Sequence, residues 1–456
     1  RPRFTLSSYS KNALLALVAS TMPILAPTPA LAHASERMIV LTLPTGRYIL
    51  GAATVVALTA LLGALAPRLP AFRSWRLASF PHPPHHPGSW LAFAAFAALV
   101  ATGFLGPHDP LANLLPLTVW TLLWVGLALA SMLVGDLWRP IDPWTAPVTA
   151  TRRLLGRTGS LGLSRLGHWP AVLGLLAIAW FEIVSLAPDD PPTLARAALL
   201  YWLAIFALAT LEGPAWIRRG EALTLFFHTV SKIAPLWWTP AGNRTELHAG
   251  PPGAQILATP PLSPSAAAFV TLILATVTFD GLHLSFWWLT RLGINPLEFP
   301  GRSAVTLANS LGLLAAWAAT AAAILATVAL ARRLARDTGP FRREAGPAML
   351  SLLPIAAGYH AAHYLTQLLA GLRYALAALA GAPAHSVTLG FLTDAAAVRL
   401  IWNAQFAIIL AAHLLAVLVN LRLAAPRPAI AHLPMTVLMV LYTILGLWLL
   451  ATPTAG

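Results

Sequence analysis

The chain has 456 residues, of which 58% are hydrophobic and only 10% charged, and its mean hydropathy is +0.72. Soluble domains carry about a quarter charged residues, so this composition excludes an ordinary soluble globular protein and points to an all-α, polytopic helical membrane protein. The 29 Lys and Arg against 15 Asp and Glu give +14, and there is no Cys, which excludes disulfides, thiolate metal sites, iron–sulfur clusters and haem attached through Cys.

The first segment, 1–32, has a basic start (Arg1, Arg3, Lys11), an apolar run over 13–25 and the triplet Ala30-Leu31-Ala32. This pattern predicts a secretory signal peptide or an N-terminal anchor. Cleavage after Ala32 makes His33 the mature N-terminus on the outer side, where an amine and an imidazole on one residue would suit copper. The alternative is an ordinary residue after the cut.

About ten further apolar segments follow, near 47–66, 89–106, 112–135, 168–187, 196–212, 264–290, 304–330, 348–372, 402–424 and 433–451. Backbone in lipid must satisfy its own hydrogen bonds, so each is expected to be a helix. Every second loop is rich in arginine: Arg68, Arg73 and Arg76 after the first, Arg152, Arg153, Arg157 and Arg165 after the third, Arg332, Arg333 and Arg336 after the seventh. The positive excess therefore reads as a topology signal rather than a nucleic-acid surface. It places the chain in the bacterial inner membrane with the mature N-terminus and the C-terminus outside. The segment 221–238 is read as an interfacial or re-entrant helix on the cytoplasmic face, since counting it as a span would invert every later loop. A Pro/Gly-rich cytoplasmic linker, 239–263, then divides an N-terminal five-span half, 33–238, from a C-terminal five-span half, 264–456.

Ionisable residues at bilayer depth are costly and mark functional sites. Asp280 and His283 lie three residues apart on the sixth span, and so do His360 and His363 on the eighth. His413 is near the middle of the ninth. Imidazoles and one carboxylate make a suitable shell for a divalent metal with an open position for water, zinc before copper. Asp280, His360, His363 and His413 are the expected ligands, with His283 and Glu182 as groups that move protons; Tyr359, Tyr364 and Gln367 are expected to add hydrogen bonds. The bland alternative is polar residues that bond across helices. Bis-imidazole haem is a weaker alternative. Asp136 and Asp142 read as parts of a structural turn at the cytoplasmic edge, and His82, His85 and His86 as a solvated Pro-rich loop.

Several blocks carry a resemblance to a known family. They are the Ala32-His33 junction, Val134-Gly135-Asp136-Leu137-Trp138-Arg139, Ala179-Trp180-Phe181-Glu182, Val277-Thr278-Phe279-Asp280-Gly281, Tyr359-His360-Ala361-Ala362-His363-Tyr364 and Met439-Val440-Leu441-Tyr442-Thr443. With them the chain resembles the bacterial polytopic membrane proteins labelled fenitrothion hydrolase. The resemblance implies phosphotriester hydrolysis of a small hydrophobic substrate, which a metal-bound hydroxide would perform. The competing expectations are a copper transport or handling protein, and a haem-binding or structural subunit of a larger membrane complex.

Overall fold

The computed structural model describes residues 45–65, 72–81, 86–423 and 428–455. His33, the leader, His82 and His85 lie outside the described residues.

In chain order the main elements are α1 (Thr45–Leu65), β1 (Trp75–Pro81), α2 (Pro87–Leu105), α3 (Leu114–Val134), α4 (Thr145–Leu154), α5 (Trp169–Ile183), α6 (Pro191–Glu212) and α7 (Ala222–Val230). The strands β2 (Leu236–Ala241) and β3 (Arg244–Ala249) follow, then α8 (Pro264–Leu282), α9 (Phe286–Arg291), α10 (Thr306–Ala335) and α11 (Arg342–Ser351). The chain closes with α12 (Leu353–His363), α13 (Leu365–Leu379), α14 (Ala395–Leu423) and α15 (Leu433–Ala451). Among the described residues eight helices are long and apolar enough to cross a bilayer: α1, α2, α3, α6, α8, α10, α14 and α15. The protein is an all-α, multi-pass helical protein suited to a lipid bilayer.

The helices start where the sequence supplies caps. Asp190 accepts a hydrogen bond from Thr193 N (3.0 Å) ahead of Pro191, and Ser263 accepts one from Ala266 N (3.3 Å) ahead of Pro264. Short polar side chains satisfy the first free N–H groups, and proline at the first turn sacrifices no bond. Within α3, residues Leu117–Leu127 are wound as a π-helix, a wider turn that clusters at functional sites.

Two expected spans differ from the eight. α5 has 15 residues, about 22 Å at 1.5 Å per residue, against a hydrocarbon core of about 30 Å. The segment 348–372 is broken into α11, α12 and α13, with the last break at Tyr364.

The expected linker 239–263 is also different. Its first part completes the hairpin β2–β3, joined by Gly242-Asn243 with Gly242 at φ 62°, and a single helical turn, Ala254–Leu257, follows. Glycine first in a two-residue loop suits a hairpin turn, and Leu236-Trp237-Trp238-Thr239 are strong strand formers. Pro240 is tolerated because β2 is an edge strand in the sheet order β1-β3-β2. β1 pairs antiparallel with β3, Trp75 opposite Ala249, so the segments after α1 and after α7 meet on one face of the bundle. Trp238 donates its indole N–H to Val134 O (3.2 Å), which docks the sheet on the end of α3. Gly135, at φ 91°, makes this possible, since a Cβ there would lie 3.0 Å from both Leu236 O and Trp237 Cα.

α7 enters the bundle from that face without crossing it. Its Phe226 and Phe227 are buried, and Phe226 stacks on Trp124 of α3 (5.1 Å, 15°). Glu221, wholly buried, caps it by accepting from Leu223 N (2.8 Å), Thr224 N (2.6 Å) and the Tyr201 hydroxyl. On the opposite face Arg302 donates to Glu182 O (2.7 Å) and Ser185 O (3.2 Å) at the end of α5, and Ser285 pairs with Thr454.

The two halves pack against each other. α1 packs along α14 and α15, and α8 packs between α5, α10 and α12. Large exposed residues such as Leu50, Leu91, Leu105 and Leu200 ring the outside, as a lipid-facing surface requires.

Candidate functional site

The polar centre forms where one helix ends and another breaks. α8 ends two residues after Asp280, and α12 gives way to α13 at Tyr364, whose backbone (φ −90°, ψ 3°) sits in the sparsely allowed region common at active sites. Non-helical backbone at this depth is tolerated because it is buried in protein.

Asp280 Oδ2 accepts two hydrogen bonds, from His363 Nε2 (2.8 Å) and from the Tyr364 hydroxyl (2.7 Å). The same hydroxyl lies 3.1 Å from Glu182 Oε1. Tyr364 has one phenolic proton and meets two carboxylates, so it can donate to only one of them. With that proton on Asp280, the contact to Glu182 is a hydrogen bond only when Glu182 is protonated and donates to the phenol oxygen. Glu182 Oε2 is buried and has no partner, which suits a neutral acid and would be costly for a carboxylate. The geometry thus defines a directed chain, Glu182 to Tyr364 to Asp280, with His363 donating from the far side.

His363 keeps 26% of its side chain exposed, and its Nδ1 has no hydrogen-bond partner among the described residues. The Tyr359 ring stacks against it (5.8 Å, 17°). Tyr359 is itself held between two glycines: its hydroxyl abuts Gly281 of α8, and its ring lies 3.4 Å from where a Cβ on Gly446 of α15 would sit.

The other expected ligands point elsewhere. His360 donates Nε2–H to Trp124 O (2.9 Å), the carbonyl of a π-helical residue. His413 donates Nδ1–H to Ile409 O (2.8 Å) on its own helix, leaving Nε2 buried and unpartnered. His283 donates Nδ1–H to Asp280 O (2.7 Å), with the same nitrogen 3.7 Å from Asp280 Oδ1; its Nε2 is also buried and unpartnered. Among the described residues no group of three or more His, Asp or Glu is placed to hold a metal ion. The structure does not bring the expected four ligands together: one nitrogen each of His360 and His413 bonds a backbone carbonyl, and His363 Nε2 bonds Asp280. As placed, the described residues offer no convergent set of three ligands to a divalent metal. Gln367 is exposed and takes no part.

Asp136 and Asp142 organise the turn after α3. Asp136 Oδ1 accepts from Arg139 N (3.1 Å), and Asp142 Oδ1 accepts from Trp144 N (3.2 Å) and Thr145 N (2.8 Å). Burial pushes the Asp142 carboxyl above its usual range, against the pull of the Thr145 and Trp144 hydrogen bonds.

The role of Trp124 was not legible in the sequence, since it acts through its backbone carbonyl. Arg302 was not legible either, since its partners are backbone carbonyls too. Gln405, which donates to Ala362 O (2.8 Å) beside the broken helix, gave one signal: an amide inside an apolar span. Compared with family models, curated proteins and solved structures, the chain matches none.

Proposed function

We propose that this chain is an integral protein of the bacterial cytoplasmic membrane whose Glu182–Tyr364–Asp280–His363 centre binds and passes protons, in the service of proton-coupled transport. One observation carries the reading: a single tyrosine hydroxyl bridges two part-buried carboxylates, one of which also holds an imidazole. Such a chain shifts its protons in concert. Glu182 gives its proton to the phenol oxygen as the phenol gives its own to Asp280, and His363 exchanges protons with the surroundings through Nδ1. The break between α12 and α13 beside the end of α8 favours transport, since discontinuous helices are how transporters present polar groups in the membrane. The arginine-rich face that carries the sheet is the cytoplasmic one under the positive-inside rule, which puts Glu182 and the end of α8 in the outer half.

The test is proton movement into sealed proteoliposomes under an imposed potassium diffusion potential, followed with an internal pH dye. Wild-type protein acidifies the lumen, and Asp280→Asn does not. Equal signals from the two proteins would end the reading.

A hydrolase is the second reading, and the specific support is the Asp280–His363 pair. An aspartate that fixes one imidazole nitrogen leaves the other as a general base toward water. The resemblance to proteins labelled fenitrothion hydrolase suggests an ester or phosphotriester substrate. Turnover of a chromogenic phosphotriester, lost in His363→Ala, would establish it. The metal-dependent version finds no convergent set of three ligands among the described residues, and copper at His33 rests on a residue outside them.

A further inference from the structure

Directly inward of the centre lies a small cavity of ≈ 10 Å³ bounded by Trp124, Phe226, Thr276, Ala356, His360 and Tyr364. That is at the lower edge of the roughly 10–15 Å³ that one water requires. Most of its wall is apolar, but three lining side chains bring unused polar atoms: Thr276, His360 and Trp124, whose indole Nε1 is buried without a partner. Thr276 Oγ1 is buried and has no partner. This is unusual for a helical threonine: on the same helix Thr278 bonds back to Leu274 O (2.7 Å) and Thr271 to Ala268 O (3.0 Å). Buried hydroxyls are almost always paired, so an orphan beside a cavity marks a missing partner. His360 supplies the second atom. Its Nε2–H is committed to the Trp124 carbonyl, which leaves Nδ1 with a bare lone pair.

We infer that this cavity is a binding site for one water molecule, held between the Thr276 hydroxyl and His360, which extends the proton chain one step inward from Tyr364. The water accepts from Thr276 and donates to His360 Nδ1. A protonated carboxyl of the pair gives its proton to the Tyr364 oxygen as the Tyr364 hydroxyl gives its own to this water, and the water passes one proton to His360 Nδ1, so neither the phenol nor the water keeps a net charge. The relay role rests on the proton-handling reading above, whereas the water site stands without it.

The variant is Thr276→Val in the full-length protein, which keeps shape and removes the hydroxyl. Density for one water within hydrogen-bond distance of Thr276 Oγ1 in a high-resolution structure, absent in the variant, is the expected result. Proton entry into proteoliposomes should fall about tenfold, the equivalent of one lost hydrogen bond of about 1.4 kcal/mol. Xenon occupying the cavity of the wild-type protein would show a dry apolar void and overturn the site. A higher melting temperature in Thr276→Val would do the same, because removing a truly orphaned hydroxyl relieves a cost. Water present with flux unchanged in the variant would overturn the relay role. Wild-type protein without any proton flux would instead sink the proton-handling reading, and the density and xenon results would still decide the water site.

Discussion

Gly281→Ala tests whether the centre is held by packing as tight as the geometry implies. A Cβ at Gly281 would overlap the Tyr359 hydroxyl, with the Tyr359 ring carbon Cζ at 3.5 Å and Leu449 Cβ at 3.6 Å behind it. Tyr359 has little room to retreat, because its other edge lies against Gly446, 3.4 Å from where a Cβ there would sit, and His363 lies on its face. Alanine gains about 1 kcal/mol over glycine from helix propensity. Overpacking a filled site costs about 1–3 kcal/mol. The net expectation is a loss of about 1 kcal/mol. Tyr359→Phe removes the hydroxyl that clashes and was itself unpartnered, so it should be neutral or slightly stabilising. In that background Gly281→Ala should turn favourable by about 1 kcal/mol, a coupling of about 2 kcal/mol in the double-mutant cycle. Reversible denaturation in mixed micelles, with all four proteins compared at one detergent ratio, reads the cycle. If Gly281→Ala stabilises equally in both backgrounds, the glycine is not a cradle for Tyr359, and the positioning of His363 by that stack fails with it.

Other outcomes follow from the same contacts. Glu221→Ala removes the acceptor for two free N–H groups of α7 and should cost about 1–2 kcal/mol, seen as faster hydrogen exchange confined to α7. Arg302→Ala uncovers the Glu182 and Ser185 carbonyls and should lower the melting temperature while Arg302→Lys recovers part of the loss. Chelation with EDTA should leave the melting temperature unchanged, because no three ligands converge among the described residues; a fall would restore the metal centre. On the sheet, the hydrogen bond from Arg76 holds the Glu246 carboxyl below its usual range. A depressed folded value gives stability that is present above the unfolded pKa of about 4.3 and is lost as pH falls through the lower folded value. Tryptophan fluorescence of the sheet should therefore persist below the ordinary glutamate range in wild type and change at higher pH in Arg76→Ala.

Composition and loop charge carried the class of the fold, because a lipid solvent imposes length and apolarity on every span. They could not show that α5 is short or that the Tyr364 segment breaks, since both depend on neighbours that shield the irregular backbone. The hairpin over 236–249 was written locally in Trp237, Trp238 and Gly242, yet Pro/Gly content read as linker, because its pairing partner Trp75–Pro81 is distant in the chain. At the site, Asp280 and His363, two of the ionisable residues singled out within apolar spans, lie within hydrogen-bond distance of each other. Spacing could not foresee which way an imidazole turns. His360 and His413 each found a carbonyl acceptor, and a backbone carbonyl leaves no mark in a sequence.

The central claim is that protons pass through the carboxylates bridged by Tyr364, and the most direct measurement removes only that bridge. Tyr364→Phe keeps the ring that packs on His360 (4.8 Å) and His363 (4.8 Å) and deletes the hydroxyl shared by Asp280 and Glu182. In sealed proteoliposomes the account predicts proton entry for wild-type protein and a loss of at least about tenfold for Tyr364→Phe, with its fold intact. Undiminished proton entry through Tyr364→Phe would contradict it.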